Sequence, residues 1–393
     1  MGSPLRDRLA PRIVAEDGAW RAKMAAAAEG LSDIIVMGAG DPDLPTPTHV
    51  VEAAKAALDA GAHHYTPPAG MPTLREAIAA MLHRDYGLDY SADEVVVTAG
   101  VQESVMLLML ALVAPGDEVL VTSPRFTTYD TACHMCGGTL VPVPTHQKDG
   151  FALDPSEVEA RITPRTRLFV LTSPNNPTGG VTPPEAIRAI AEICVRHDIL
   201  LVSDEIYAGV LFDGAEHLSA ATLPGLKERT ITLNGFSKTY AMTGWRVGYM
   251  AAPADFVAQL IEPKHALSIN TCTVSQHAAL AALTGPQEPI RAMVATYADR
   301  RALLLDALRR MGLSFAPPMG GLYVYPDVTP TGLGAEEFCL RLLREAQVLI
   351  NPGGVFGDTD DRHIRMSFLQ PIDRLEIALG RMAAFIDSLK VPA

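Results

Sequence analysis

Asn234-Gly235-Phe236-Ser237-Lys238-Thr239-Tyr240-Ala241-Met242-Thr243-Gly244-Trp245-Arg246-Val247-Gly248 sits between two short apolar runs, residues 230–233 and 247–251. It sets one lysine in a small-residue turn at the end of a strand candidate, with an arginine eight residues on. Burying a lysine amine is costly, so such a placement points to a use. The chemical use is covalent: an amine condenses with a carbonyl compound to a Schiff base. The neighbouring serine hydroxyl and arginine suit a phosphate. A small molecule carrying both an aldehyde and a phosphate is pyridoxal 5'-phosphate. Taken alone, the segment reads equally well as a surface lysine in a glycine-containing loop.

The flanking sequence extends the pattern. Short β-rich runs at 94–98, 118–122, 168–171, 199–203, 230–233 and 247–251 alternate with helical patterns such as 102–113 and 185–197. Several of the runs are continuously apolar, as in strands covered on both faces. This predicts an α/β layer with a mostly parallel central sheet. Ligands of such sheets bind beyond the carboxyl ends of the strands. Gly100, Ser123, Asn175, Asn176, Asp204 and Lys238 are expected there. From about Pro289 the character changes: a long helix pattern (290–311), a strand (322–325), a helix (335–346) and further strands at 348–350 and 364–368. The expectation is a large α/β domain over residues 41–289 and a smaller α+β domain from residues 1–40 with 290–393.

Composition bounds the function. The 393 residues are 48% hydrophobic and carry a net charge of −13, which disfavours nucleic acid and anionic membranes as partners. The longest apolar run, residues 105–114, is too short to span a bilayer. Met1 to Glu16 has charges of both signs and no signal-like apolar core. Five scattered cysteines suit free thiols in a reducing cytoplasm. Cys133-His134-Met135-Cys136 has CxxC spacing, but no second ligand pair supports a metal site. Helical spacing puts both cysteines on one face, as packing residues. No metal is expected.

The strand-end residues each allow two readings. Asp204 reads as a helix N-cap, or as the carboxylate that keeps a pyridine nitrogen protonated. Tyr207, three residues on, has a hydroxyl within reach of the same ligand. Ser173-Pro174-Asn175-Asn176-Pro177-Thr178-Gly179-Gly180 is a tight turn, and Asn176 could donate to the ring oxygen beside Tyr207. Thr98-Ala99-Gly100-Val101-Gln102 ends a strand and opens a helix, where free N–H groups suit a phosphate. Phe126 is either a core ring or a platform for a flat cofactor. Arg365 alternates with Ile364 and Met366; it is either solvated or a bidentate clamp for a carboxylate.

Six segments in register resemble the class I/II pyridoxal-phosphate aminotransferases of fold type I, the aspartate aminotransferase-like family. They are Gly40-Asp41-Pro42-Asp43, Tyr65-Thr66-Pro67-Pro68-Ala69-Gly70, the 173–179 turn, Ser203-Asp204-Glu205-Ile206-Tyr207, Ser237-Lys238 with Gly244-Trp245-Arg246, and Arg365-Met366-Ser367. The likeness runs from about residue 36 to the end. It implies the fold-type I PLP-transferase fold and these roles. Lys238 is the Schiff-base lysine and proton carrier, and Asp204 pairs with the pyridine nitrogen. Asn176 and Tyr207 bond the ring oxygen, and Phe126 stacks on the ring. Gly100, Val101 and Gln102, with Ser237 and Arg246, hold the phosphate. Arg365, assisted by Gly40 and Asn176, binds the substrate carboxylate. Tyr65 reaches the phosphate of a neighbouring subunit, which implies a homodimer with shared active sites. Cis peptides are implied at Ser123–Pro124 and Asn176–Pro177.

Three positions depart from relatives. Gly235 replaces a frequent serine. Gln102 is uncharged in a loop where one aspartate-type subgroup carries a lysine for the distal carboxylate. Arg125 stands where an aromatic residue is frequent, either as a charge for a side-chain carboxylate or pointing to solvent. The expected activity is ping-pong transamination between an L-amino acid and a 2-oxo acid. The competing expectations are a lyase of the same fold (a carbon–sulfur β-lyase or an aminocyclopropane-carboxylate-synthase-like enzyme) and a cofactor-sensing regulatory domain.

Overall fold

The computed structural model describes residues 8–10, 12–13 and 18–390. Most of the Met1 to Glu16 segment, part of the residue 1–40 assignment and residues 391–393 therefore lie outside the described residues. The central element is a seven-stranded sheet. Its strands are β1 (Val95–Thr98), β2 (Glu118–Ser123), β3 (Thr139–Pro144), β4 (Thr166–Thr172), β5 (Leu200–Asp204), β6 (Thr230–Gly235) and β7 (Gly248–Ala251). They lie side by side in the order β1-β7-β6-β5-β4-β2-β3. β7 runs antiparallel to both its neighbours, and the other pairings are parallel.

The apolar runs make this sheet because strict alternation sends successive side chains into two different cores. Val119, Val121, Leu168, Val170, Val202 and Ile231 pack on one face with Val105, Leu108 and Leu260. Leu120, Phe169, Leu171 and Leu201 pack on the other with Ile187 and Ile190. Helices Val101–Leu112 and Pro184–Arg196 supply much of the two coverings, each within a residue of its sequence expectation. β3 was not anticipated. Pro142 and Pro144 break its apolar run, and it is an edge strand, where the missing N–H groups are tolerated. The sheet brings six carboxyl ends to one rim: Thr98, Ser123, Pro144, Thr172, Asp204 and Gly235. Ser123 and Asp204 close their strands instead of following them.

A second layer faces that rim. Asn351–Pro352, Ile364–Ser367 and Tyr323–Val324 form an antiparallel sheet in which Met366 pairs with Val324 and Ser367 with Tyr323. Ile35–Val36 pairs in parallel with Val348–Leu349. The Ser367 N–H donates to the Met37 carbonyl at 2.6 Å, which lays residues 38–41 beside Arg365. Helix Gly18–Ala28 packs against helix Ala335–Ala346. The sequence expectations did not include helix Ile372–Leu389. Its buried Leu375, Ala378, Leu379, Met382, Phe385 and Ile386 nevertheless have helical spacing.

The strap of residues 38–43 is tied down at its far end. Arg300, buried on helix Glu288–Arg310, donates to both Asp43 oxygens at 2.7 and 3.0 Å. Removing one partner of a buried pair leaves the other charge uncompensated. Asp43→Ala is expected to destabilise the protein by about 3 kcal/mol, read as a lower denaturant midpoint. An unchanged midpoint would show that the pair does not hold the strap.

Candidate active site

The strand-end segments deliver side chains to a common cavity of about 390 Å³ between the sheet rim and the second layer. Beyond β6 the chain turns sharply. Phe236 is buried against Tyr240 and Tyr249, and the Tyr240 N–H returns to the Phe236 carbonyl at 3.2 Å. This anchor leaves Lys238 half-buried, with its Nζ donating to the Gly40 carbonyl at 2.6 Å. The bland reading of a surface lysine is therefore set aside: Lys238 lines the cavity.

Asp204 lies at the cavity floor on the end of β5. One of its oxygens accepts from the Tyr129 hydroxyl at 2.6 Å and the other from the Ile206 N–H at 3.3 Å. No helix follows it, so the N-cap reading fails. Burial pushes its carboxyl up to about 6; Glu205 adds to the rise, while the Tyr129 and Ile206 bonds oppose it. No cation bonds it among the described residues.

Above Asp204 stands Tyr207, whose hydroxyl is 3.2 Å from that of Tyr323. Burial and the neighbouring Tyr323 push the Tyr207 phenol well above the usual range. Burial would also raise Tyr323, but Arg365 and Lys238 outweigh it and hold that phenol below its usual value. Tyr323 also explains Gly40: a Cβ there would fall 2.1 Å from the Tyr323 hydroxyl oxygen. Arg365 is buried between the rings of Tyr323 and Phe356, at 4.3 and 4.4 Å. One Nη donates to the Asn176 side-chain oxygen at 3.0 Å and the other to the Gly38 carbonyl. Holding the Asn176 oxygen this way leaves its amide as a donor toward the cavity.

The opposite wall is the turn that opens helix Val101–Leu112. Gly100 has φ +78°, and a Cβ there would approach Arg246 Nη2 to 2.8 Å. Val101 and Gln102 begin a helix whose free N–H groups face this wall, and Ser237 and Arg246 complete it. Arg246 donates to the carbonyls of Thr243 (2.9 Å) and Ala99 (3.4 Å) and adopts a left-handed backbone, a strain typical of functional positions. Phe126 is partly exposed at the cavity edge.

Thus Gly40, Val101, Gln102, Phe126, Asn176, Asp204, Tyr207, Ser237, Lys238, Arg246 and Arg365 come together, with Gly100 directly behind Arg246. Tyr65 does not line the cavity; it is 78% exposed. Arg125 neither points to solvent nor lines the cavity: it is buried and donates to both oxygens of Asp130. Cis peptides occur at Ser123–Pro124 and Asn176–Pro177, and also at Ser173–Pro174. Sequence reading missed Tyr129, Tyr323, Asp41 and Thr243. The last two share a hydrogen bond at 2.5 Å. Nothing local marks Tyr129 or Tyr323, since each acts on a partner far away in sequence.

The family model for "Aminotransferase class I and II" matches residues 32–382. This chain belongs to that family. It is 37% identical to an aromatic-amino-acid aminotransferase of Thermococcus litoralis, over 93% of this chain and 94% of the relative. It is 41% identical to an arginine–pyruvate transaminase of Pseudomonas aeruginosa, over 89% of each. The aspartate aminotransferase of Thermus thermophilus solved with maleate superimposes with a TM-score of 0.89 at 39% identity, over 96% of this chain and 99% of that one. The fold is that of the fold-type I aminotransferases, and the chain is a transaminase, moving an amino group between an amino acid and a 2-oxo acid.

The Asp204 environment has a consequence for stability. Its carboxyl sits above the ordinary aspartate value of about 3.9, so the folded state binds the proton more tightly than the unfolded chain does. Its contribution to stability therefore falls as pH rises from about 4 to about 6 and stays low above that. Asp204→Asn is expected to raise the denaturant midpoint of the ligand-free protein at pH 7 and to remove this decline. A destabilised Asn variant at pH 7 would contradict the assignment.

Proposed function

We propose that this aminotransferase uses pyridoxal 5'-phosphate, held by the cavity residues named above. One observation carries the reading: a buried carboxylate without a bonded cation, Asp204, shares its cavity with Lys238 and an anion-binding turn. A protonated ring nitrogen is the cation Asp204 lacks. Lys238 would hold the aldehyde. The Gly100–Gln102 turn with Ser237 and Arg246 would hold the phosphate, Asn176 and Tyr207 the ring oxygen, and Phe126 one ring face. When bound, the cofactor supplies a carbonyl for the amino group and a ring that draws electrons from the substrate Cα.

The chain's own residues do the rest. Arg365 binds the substrate carboxylate through its paired N–H groups, pre-oriented by two rings, Asn176 and Gly38. Lys238 removes the Cα proton in one half-reaction and returns a proton to Cα in the other. Asp204 stays ionised beside the ring cation, which keeps that charge in place. Among the described residues, the cavity cations are Lys238, Arg246 and Arg365. Arg125 is neutralised by Asp130, and Gln102 is engaged by Thr128. Among the described residues a single chain thus offers the cavity no free cation for a second substrate carboxylate, and the donor we assign has a neutral side chain.

We also assign a homodimer. Thr66, next to the exposed Tyr65, is held by Asn270 and Gln276 at 3.1 and 2.8 Å, so the tyrosine stands on a fixed surface, suited to reach a partner's phosphate. Residues 41–289 form the large domain in this reading, and residues 1–40 with 290–393 the small one. Five free cysteines fit a reducing cytoplasm. Among the described residues, no helix is long and apolar enough to cross a membrane.

Mixing the cofactor-loaded enzyme with single L-amino acids tests the reading. Neutral donors are expected to convert the bound cofactor to its amine form in one half-turnover, faster than aspartate or glutamate, and a 2-oxo acid to reverse it. Continuous pyruvate or ammonia release without an oxo acid would indicate a lyase instead. Arg365→Lys is expected to raise KM for the amino acid about 10- to 100-fold, since an ammonium cannot make the paired contact. An unchanged KM would remove Arg365 from the substrate site.

A further inference from the structure

One buried charge is unused by the reaction as described. Lys264, on helix Ala254–Ser268, is 0% exposed. Its Nζ lies 3.2 and 3.4 Å from the two Glu103 oxygens and 3.3 Å from the Ser268 hydroxyl. Glu103 stands in the first turn of the helix that opens at Val101. Its Oε1 accepts from Ser268 and its Oε2 from the Ala99 N–H. The carbonyl of the same Ala99 accepts from Arg246 at 3.4 Å. Ala99 is thus gripped on both sides, and the Gly100 turn follows directly.

A buried ion pair is a poor source of stability, because desolvation offsets most of the attraction; neutral residues of similar size serve as well or better. Burial pushes the Lys264 ammonium below its usual value, and Glu103 only partly opposes this. The pair calls for another explanation, and its position gives one. A bare carboxylate this close to a helix N-terminus would repel an anion bound to the same turn.

We infer that Lys264 is a positioning residue of the phosphate-binding turn: it neutralises Glu103, so that this carboxylate fixes the Ala99 N–H without opposing the anion at Gly100–Gln102. The inference rests on the cofactor reading above. Lys264 touches neither cofactor nor substrate in it.

The test compares pyridoxal 5'-phosphate with pyridoxal, which keeps the aldehyde and lacks the phosphate. Cofactor-stripped full-length protein is titrated with each, and the ratio of the two dissociation constants is the readout. Wild type is expected to favour the phosphate form. Lys264→Met should reduce that preference about tenfold, the worth of one displaced charge-assisted contact, and leave pyridoxal binding unchanged. Lys264→Met with Glu103→Gln should restore it, because glutamine keeps a carbonyl for Ala99 without the charge. Lys264→Met with Glu103→Leu, which keeps neither, should not. If the single variant fails to fold, the two double variants decide. Equal preference in both, or an equal loss for both ligands, would overturn the inference. A wild type that binds pyridoxal as tightly as its phosphate would instead overturn the cofactor reading itself.

Discussion

Asp204 sits at the end of a central strand with neighbours on both sides and the sheet's cores above and below. Among the described residues, its bonded partners are a phenol and a backbone N–H. A carboxylate in that position raises the free energy of the ligand-free protein, and its raised pKa measures the burden. The scaffold tolerates it because β4, β5 and β6 are paired and covered on both faces. In the proposed cofactor complex, a cation at the cavity floor would offset the strain. This is functional destabilisation of the kind expected where electrostatics are organised ahead of the reaction.

The second layer supplies what the sheet rim does not. Arg365 comes from a strand whose pairing with Tyr323–Val324 sets the Tyr323 ring beside its guanidinium. Tyr323 in turn fills the space that makes residue 40 a glycine, and the Gly40 carbonyl receives Lys238. Arg365, Tyr207 and, through Gly40, Lys238 are therefore linked through one tyrosine. Arg300 and Asp43 tether the strap that carries Gly40 to the long helix behind it. Lys264 and Glu103 hold Ala99 in a matching way ahead of the Gly100 turn.

What was legible in the sequence is local. An apolar run followed by a polar turn marks a strand end, and Asn176, Asp204, Tyr207, Lys238 and the Gly100 turn all have that signature. The strands themselves followed from runs too apolar for any place but a covered sheet. β3 escaped because two prolines interrupt its pattern. Tyr129, Tyr323 and Lys264 escaped for a different reason: their partners lie 75, 116 and 161 residues away, and a tyrosine or lysine within an amphipathic segment looks the same wherever it points. Arg125 shows the limit most clearly. Its charge is real, but a carboxylate five residues on consumes it, and only the fold brings the two together.

In the proposed complex Lys238 carries the cofactor. Borohydride reduction of the loaded enzyme, followed by proteolysis and mass spectrometry, tests it most directly. One modified lysine is expected, at position 238. A label on any other lysine, or a protein that binds the cofactor without a reducible link, would contradict it.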